Sequence, residues 1–317
     1  MNDILANWEI LNGLLERTRL APFQKTARVN TEKSWQDEVK ALYSIGIGME
    51  ETLRFLYHEQ PSAEVFQGWL MKNKIKSHPA DLSISEVITE NVLTPDDIDF
   101  WNKNGYVVLK NVITQNQCIE TQNAIWDFLN ATPDNPESWY KNQEAQRGLM
   151  LLFSNHPALN ANRESSQIRK AYEQLYGNEK IYKTIDKVSF NPPESNGFRF
   201  LGSALHWDVS LETPIPFVLQ GMLYLTDCNE NDGAFHCVPG FHLEIEKWLS
   251  SLPENTMPRE VAPKVLKPVA VTGNAGDFII WHQALPHCAT ANHGQYPRMV
   301  QYLTYLPVQQ SIQKAWK

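Results

Sequence analysis

Apolar positions recur along this chain in two rhythms. In the first 90 residues Leu42, Ile45, Met49, Leu53 and Leu56 return every three or four positions, the spacing of one helix face. Ser34-Trp-Gln-Asp37 has the form of a capping box that would open this helix, and a second helix is expected over Ala63 to Leu70. The polar stretch Lys72–Asp81 reads as a linker. The stripe needs burial and the region holds no cluster of ligand-type residues, so 1–90 is expected to be a helical extension packed on a larger domain at 91–317.

Thr94-Pro95-Asp96-Asp97 is a strong helix start, with a Thr cap, Pro at the first helical position and carboxylates in the first turn. Gly105 would end that helix, and Tyr106–Leu109 follows as a short strand. Thr114-Gln-Asn-Gln117 opens another helix that should reach about Asn130, and 131–165 reads as mixed and loop-rich. From Lys183 the rhythm changes. Short β-branched and aromatic runs at 184–190, 198–209, 217–226, 234–238, 265–271, 277–282 and 298–306 alternate with Pro, Gly, Asn and Asp. Such runs predict a mainly β fold with flanking helices, a double-stranded β-helix of the jelly-roll or cupin-like kind. After residue 183 the only helix expected is the 243–251 insert.

A formal charge of −8 without a Lys/Arg cluster weighs against nucleic acid, and no apolar run is long enough to cross a bilayer. The first residues lack a basic segment followed by an apolar core, so no signal peptide is expected. Cys118, Cys228, Cys237 and Cys288 form no CxxC pair and read as reduced thiols, which points to the cytoplasm. The oligomeric state is not legible.

The chemistry concentrates in the second half. Side chains two apart on a strand share a face, so His206 and Asp208 in Leu205-His-Trp-Asp-Val209 could point at one ion. Taken alone, His-x-Asp could equally be a core histidine beside a turn residue. A second histidine raises the odds: Gly276-Asp277 turns into Phe278–His282, and His287 follows in Leu-Pro-His-Cys. His206, Asp208 and His287 would form a two-histidine, one-carboxylate face suited to Fe(2+), leaving three adjacent positions open. A 2-oxo acid such as 2-oxoglutarate can chelate two of them and O2 can take the third. The far carboxylate then needs a fixed cation, and Arg298, eleven residues after His287, has the planar fork for it. His282 is the competing distal ligand. Gln220 and Tyr224 share a face of one strand, and either touch the co-substrate or pack as ordinary core. His236, His242 and His293 read as structural or exposed. Trp139, Tyr140, Arg147 and Arg199 could meet substrate or make plain surface contacts, and His156-Pro-Ala-Leu159 reads as a structural turn.

At these residues the chain resembles the phytanoyl-CoA dioxygenase-like oxygenases. Gly105–Leu109, His206-Trp-Asp208, Asp227–Gly233 running into Val238-Pro-Gly-Phe-His242, and then Gly276-Asp277, His287, Asn292 and Arg298 match the family's signatures in order and spacing. The resemblance implies iron on His206, Asp208 and His287 and 2-oxoglutarate on Arg298, and its spacing favours His287 over His282. Many relatives carry serine where this chain has Ala289, so Thr290 could supply that contact. Phe241 stands at another serine position of the family turn. Related halogenases replace the carboxylate ligand with a small residue, so Asp208 favours hydroxylation, desaturation or ring chemistry. The expected function is therefore oxidation of an unactivated C–H bond of a small molecule, with 2-oxoglutarate becoming succinate and CO2. The family's substrates include acyl-CoA esters, amino acids and natural-product intermediates, and no motif here decides among them. Two other classes remain: a cupin-like metal enzyme that does not use 2-oxoglutarate, and a non-catalytic barrel module.

Overall fold

The computed structural model describes residues 2–20, 31–74, 90–141, 146–147, 149–200 and 203–309. The chain divides into two compact units, 1–84 with 182–186, and 85–181 with 187–317. In the first, helices α1 (Asn2–Ala6), α2 (Trp8–Leu20), α3 (Thr31–Ser44), α4 (Met49–Glu59) and α5 (Ala63–Asn73) enclose a core of Leu11, Leu14, Leu15, Leu42, Ile47, Phe66 and Leu70. The apolar stripe is buried, but it spans two helices rather than one. Gly46 takes φ +76 in the turn between them, a conformation that suits a residue without a Cβ. The expected capping box at 34–37 falls inside a helix, because α3 already begins at Thr31. The expected linker overlaps the end of α5, and its remainder lies outside the described residues.

In the second unit the helices are α6 (Pro95–Asn104), α7 (Gln115–Leu129), α8 (Pro157–Arg163), α9 (Ser166–Tyr176), α10 (Ile245–Ser251) and α11 (Pro258–Val265). The expected capping box of Thr114 with Gln117 is present, the expected Thr94 cap closes a box of its own with Asp97, and Gly105 ends α6 at φ +75. Strands along the chain are β1 (Tyr106–Leu109), β2 (Gln146–Arg147), β3 (Met150–Leu151), β4 (Ile181–Lys183), β5 (Val188–Asn191), β6 (Leu219–Tyr224), β7 (Phe235–Cys237), β8 (Val269–Val271), β9 (Phe278–His282), β10 (His287–Ala289), β11 (Arg298–Tyr302) and β12 (Tyr305–Pro307).

Seven of them form an antiparallel sheet in the order β1-β9-β6-β11-β5-β3-β2, and three more pair as β10-β7-β8. The two faces of the large sheet carry separate cores. Leu219, Leu223, Phe278, Ile280 and Met299 pack with Trp101, Ile125, Leu159, Ile168 and Tyr172 of α6 to α9. Met222, Tyr224, Ile279, Trp281 and Val300 instead meet Phe235, Cys237 and Val271 of the small sheet. Two facing antiparallel sheets with helices outside are the expected double-stranded β-helix, and the space between the sheets is where its inward side chains converge.

Several local expectations fail for physical reasons. The run 198–209 contains no strand among its described residues; His206 makes only an isolated bridge to His287. Between 184 and 190 a strand begins only at Val188, and 265–271 starts as the end of α11. The segment 131–165 contains α8, which starts on Pro157 with His156 as its cap, Nδ1 accepting from the Ala158 amide at 3.2 Å. α11 is a further helix that was not expected; it carries Pro263 inside and begins on Pro258, at an N-terminal position that tolerates proline.

Asn162 is fully buried between layers and ties them together. Its Nδ2 donates to Thr121 Oγ1 and Gln301 Oε1, both at 2.9 Å, and Gln301 Nε2 donates to the Leu159 carbonyl. Removing this amide strands two buried acceptors, which costs about 1–3 kcal/mol. Asn162→Ala is therefore expected to lower unfolding stability by about that amount in a urea titration. A change below about 0.5 kcal/mol, the level of an unremarkable surface site, would show that this bridge contributes little.

Candidate metal centre

His206 reaches its position through its backbone. Its N–H donates to the His287 carbonyl and its carbonyl accepts from the His287 N–H, both at 2.9 Å, so the loop is pinned to β10 by a single two-bond bridge. Between the two ligand-type residues Trp207 is buried. It packs on Phe241 and Trp248 with ring centroids 6.0 Å away, and its Nε1 donates to the Ala284 carbonyl at 2.9 Å. With Trp207 turned into the core, His206 and Asp208 emerge on the other side of the chain. The shared face predicted from two-residue spacing is thus achieved without a regular strand.

The three side chains converge. One ligand atom from each of His206, Asp208 and His287 lies within 4.8 Å of the other two. His206 Nε2 is 3.5 Å from Asp208 Oδ1, and His287 Nε2 is 3.2 Å from Asp208 Oδ2. Each imidazole turns its Nδ1 to a backbone carbonyl two residues earlier, Ala204 at 2.8 Å and Leu285 at 3.1 Å. With Nδ1–H donating in this way, each ring, when neutral, presents its Nε2 lone pair to the centre, the tautomer a metal requires. The His287 ring sits between Phe235 and Trp281, at centroid distances of 5.6 and 5.5 Å. Burial alone would push the Asp208 carboxyl up; hydrogen bonds to His206 and His287, the His287 charge and the Gln220 amide hold it well below the carboxylate range. His206 is shifted upward, chiefly by its hydrogen bond to Asp208. This donor set fits one divalent ion with an open side.

Gln220 is fixed at both ends, its Nε2 donating to Asp208 Oδ2 at 2.9 Å and its Oε1 accepting from Trp281 Nε1 at 3.0 Å. It therefore orients a carboxylate of the triad. Tyr224 is a strut between the sheets, its hydroxyl donating to the Val271 carbonyl at 2.5 Å. Arg298 is 1% exposed. Its Nη1 donates to the Gly233 carbonyl at 2.7 Å, Nη2 is 3.4 Å from Ser189 Oγ, and its buried Nε has no hydrogen-bond partner. Gly233 itself leaves no room for a side chain: it has φ +75, and a Cβ there would lie 2.3 Å from Asn191 Nδ2. Asn191 is the register partner of Arg298, and its Nδ2 donates to the carbonyl of half-buried Thr290.

One neighbour went unnoticed in the sequence. Tyr302 shares the Arg298 face of β11; burial raises its phenol, the Arg298 guanidinium within hydrogen-bonding reach lowers it, and the Asp208 charge also acts on it. The alternation Arg298, Val300, Tyr302 was the available signal. Other residues sit elsewhere. His282 pairs with Leu219 on the face opposite Trp281, and its ring lies tilted against His242 with centroids 5.4 Å apart. His236 turns Nδ1 to the Ala234 carbonyl, and His293 lies 3.7 Å from Glu194. Trp139 Nε1 and the Tyr140 hydroxyl donate to backbone carbonyls, Arg199 is exposed, and the Arg147 side chain lies outside the described residues. Asp277 is structural, accepting from Lys110 Nζ and the Asn111 and Asn274 amides.

Known proteins resemble this chain in sequence and in fold. The family model for phytanoyl-CoA dioxygenase (PhyH) matches residues 101–300. A Dictyostelium discoideum protein described as a phytanoyl-CoA dioxygenase is 23% identical, covering 66% of this chain and 74% of its own. The non-haem α-ketoglutarate-dependent carbocyclase SnoK of nogalamycin biosynthesis superposes with a TM-score of 0.50 at 21% identity, over 69% of this chain and 85% of that one. EctD of S. alaskensis, solved with 2-oxoglutarate and 5-hydroxyectoine, gives 0.51 at 17% identity, over 69% and 78%. No helix among the described residues is long and apolar enough to cross a membrane.

His282 supplies a test that separates it from the triad. Burial first and His242 second lower it to about 4. The unfolded chain, with an ordinary histidine near 6.5, therefore takes up a proton that the folded chain refuses. Stability linked to this group is present above about pH 6.5 and is lost as pH falls towards 4. Urea unfolding at pH 7 and pH 5 should show a smaller acid loss for His282→Asn than for wild type, with metal binding retained. Equal acid losses would mean that His282 is not a source of this linkage.

Proposed function

The chain belongs to the phytanoyl-CoA dioxygenase family, and from that premise we propose that it hydroxylates an unactivated C–H bond of a small-molecule substrate, with iron on His206, Asp208 and His287 and 2-oxoglutarate on Arg298. As a dioxygenase of this family it uses Fe(II), 2-oxoglutarate and O2. When bound, the iron supplies the chemistry by which O2 and 2-oxoglutarate become succinate and CO2 while one oxygen atom enters the substrate. The observation that carries the assignment is the convergence of three ligand atoms within 4.8 Å, with both imidazoles already held through Nδ1.

The chain's own residues divide the remaining work. Gln220 holds one Asp208 oxygen and limits how far the carboxylate can swing. Arg298 presents a buried cation whose Nε is unpaired, which favours an anionic occupant over an apolar one. Tyr302, within hydrogen-bonding reach of Arg298, would assist at that end, and so would Thr290, next to the Ala289 that stands where many relatives carry serine. Asp208 leaves no vacancy for halide in the ligand set, which supports oxygen insertion. A metal enzyme that does not use 2-oxoglutarate would have no need of Arg298.

Replacing either histidine should remove most bound iron, since the remaining two protein ligands hold the ion poorly. His206→Ala and His287→Ala are thus expected to form no succinate, with metal content falling in parallel. Arg298→Ala should keep its iron yet require about 10- to 100-fold more 2-oxoglutarate, the equivalent of a lost charge-assisted contact. Arg298→Lys should recover only part, because an ammonium cannot match the two-pronged geometry. Metal analysis beside a 2-oxoglutarate titration checks all four variants. A wild-type titration curve from Arg298→Ala would refute the co-substrate assignment, and loss of iron from His282→Ala instead of His287→Ala the distal ligand. Succinate release stimulated by a panel of acyl-CoA esters, amino acids and natural-product intermediates would identify the substrate class.

A further inference from the structure

The loop that carries His206 and Asp208 lacks regular strand bonding on both sides, so its shape must be imposed from elsewhere. Two supports are described above, the backbone bridge to His287 and the buried Trp207 ring. A third comes from α11. Arg259 Nη1 donates to the Trp207 carbonyl at 2.7 Å and Nη2 to the Val209 carbonyl at 2.6 Å. These are the two carbonyls that bracket Asp208. A guanidinium is planar with fixed donor spacing, so one Arg that grips both restrains the backbone on either side of Asp208 and, through it, the direction of the carboxylate.

We propose that Arg259 is a positioning residue for the iron site, acting through the backbone around Asp208. This rests on the reading of His206, Asp208 and His287 as the metal ligands. Two effects of opposite sign are at stake. The positive charge of Arg259 interacts with Asp208, so by charge alone its removal should tighten binding of a divalent cation. As a clamp, its removal should weaken binding, because a ligand no longer held in place must be ordered by the metal. Arg259 is half-buried, so solvent screens its charge, while both hydrogen bonds are short and well placed. The clamp should win. Losing a residue that orients a metal ligand typically weakens affinity about 10- to 100-fold.

Titration of the full chain with Mn2+, followed by electron paramagnetic resonance, decides the sign. Wild type, R259A, R259K and H287A are compared, each with a metal-free melting curve. The expected result is a Kd about 10- to 100-fold higher for R259A, with R259K between it and wild type, because an ammonium grips one carbonyl at a time. Metal-free melting temperatures should stay within about 3 °C of wild type, the shift that about 1 kcal/mol produces in a unit of this size. Unchanged or tighter Mn2+ binding by R259A would overturn the proposal. So would a larger drop in metal-free melting temperature for R259K, which would make the role general to the fold. If R259A does not fold, R259K decides alone: a Kd raised at unchanged melting temperature supports the clamp, and a wild-type Kd overturns it. Should wild type bind Mn2+ no better than H287A, the ligand reading itself fails; should only the Arg259 variants match wild type, this inference alone fails.

Discussion

Everything at this site depends on one pair of backbone hydrogen bonds, the reciprocal exchange between His206 and His287. It sets side by side two histidines that lie far apart in the chain, and it does so at the edge of the small sheet, where β10 has a free flank. Such an exchange fixes the separation of the two Cα atoms at roughly 5.5 Å. Two imidazoles that leave neighbouring backbones at that spacing can meet at one point if their rings are turned correctly. The carbonyls of Ala204 and Leu285 turn them. Without the bridge, the sheet would still pair and the helices would still pack, but there would be no centre.

The large sheet contributes from the opposite side. Its outer face is saturated with apolar contacts to α6, α7, α8 and α9, so the sheet is a stiff plate rather than a loose layer. Polar groups on its inner face are thereby held at set heights: Gln220 on β6 against Asp208, and Arg298 on β11 beside Ser189 and Gly233. A site built from side chains of rigid strands keeps its geometry better than one built from loops alone. The part that does come from a loop, His206 to Asp208, is also the part with the most extra anchoring.

Much of this was legible in the sequence, and the exceptions share a cause. Apolar runs at 217–226, 234–238, 277–282 and 298–306 became β6, β7, β9 and β11, because alternation over five or more residues is a strong local signal. His206, Asp208 and His287 were visible as chemistry, and the structure does bring them together, although the strand expected to carry the first two is a loop. Strand β10 was too short to read, with three residues after a proline. The contacts that orient the site were invisible for a deeper reason. Carbonyls at Ala204, Leu285, Trp207 and Val209 belong to the backbone, which every residue has, so no residue type announces them. Tyr224 shows the converse: the strand face was read correctly, but its hydroxyl is spent on Val271 within the core.

The four cysteines, all buried, have a use that none of their packing requires. Burial pushes the Cys118 and Cys228 thiols up to about 11 and the Cys237 thiol to about 12, and raises Cys288 as well. At neutral pH each is held as the unreactive protonated form behind a wall of side chains. They are distributed through the β-helix unit: Cys118 on α7 behind the large sheet, Cys237 in the small sheet as the register partner of His287, Cys288 next to His287 on β10, and Cys228 just beyond β6. A thiol-specific alkylating reagent can therefore reach each one only when its own neighbourhood opens. The natural chain thus carries four stopwatches, and the order in which they are labelled reads out which layer loosens first, with no foreign probe introduced.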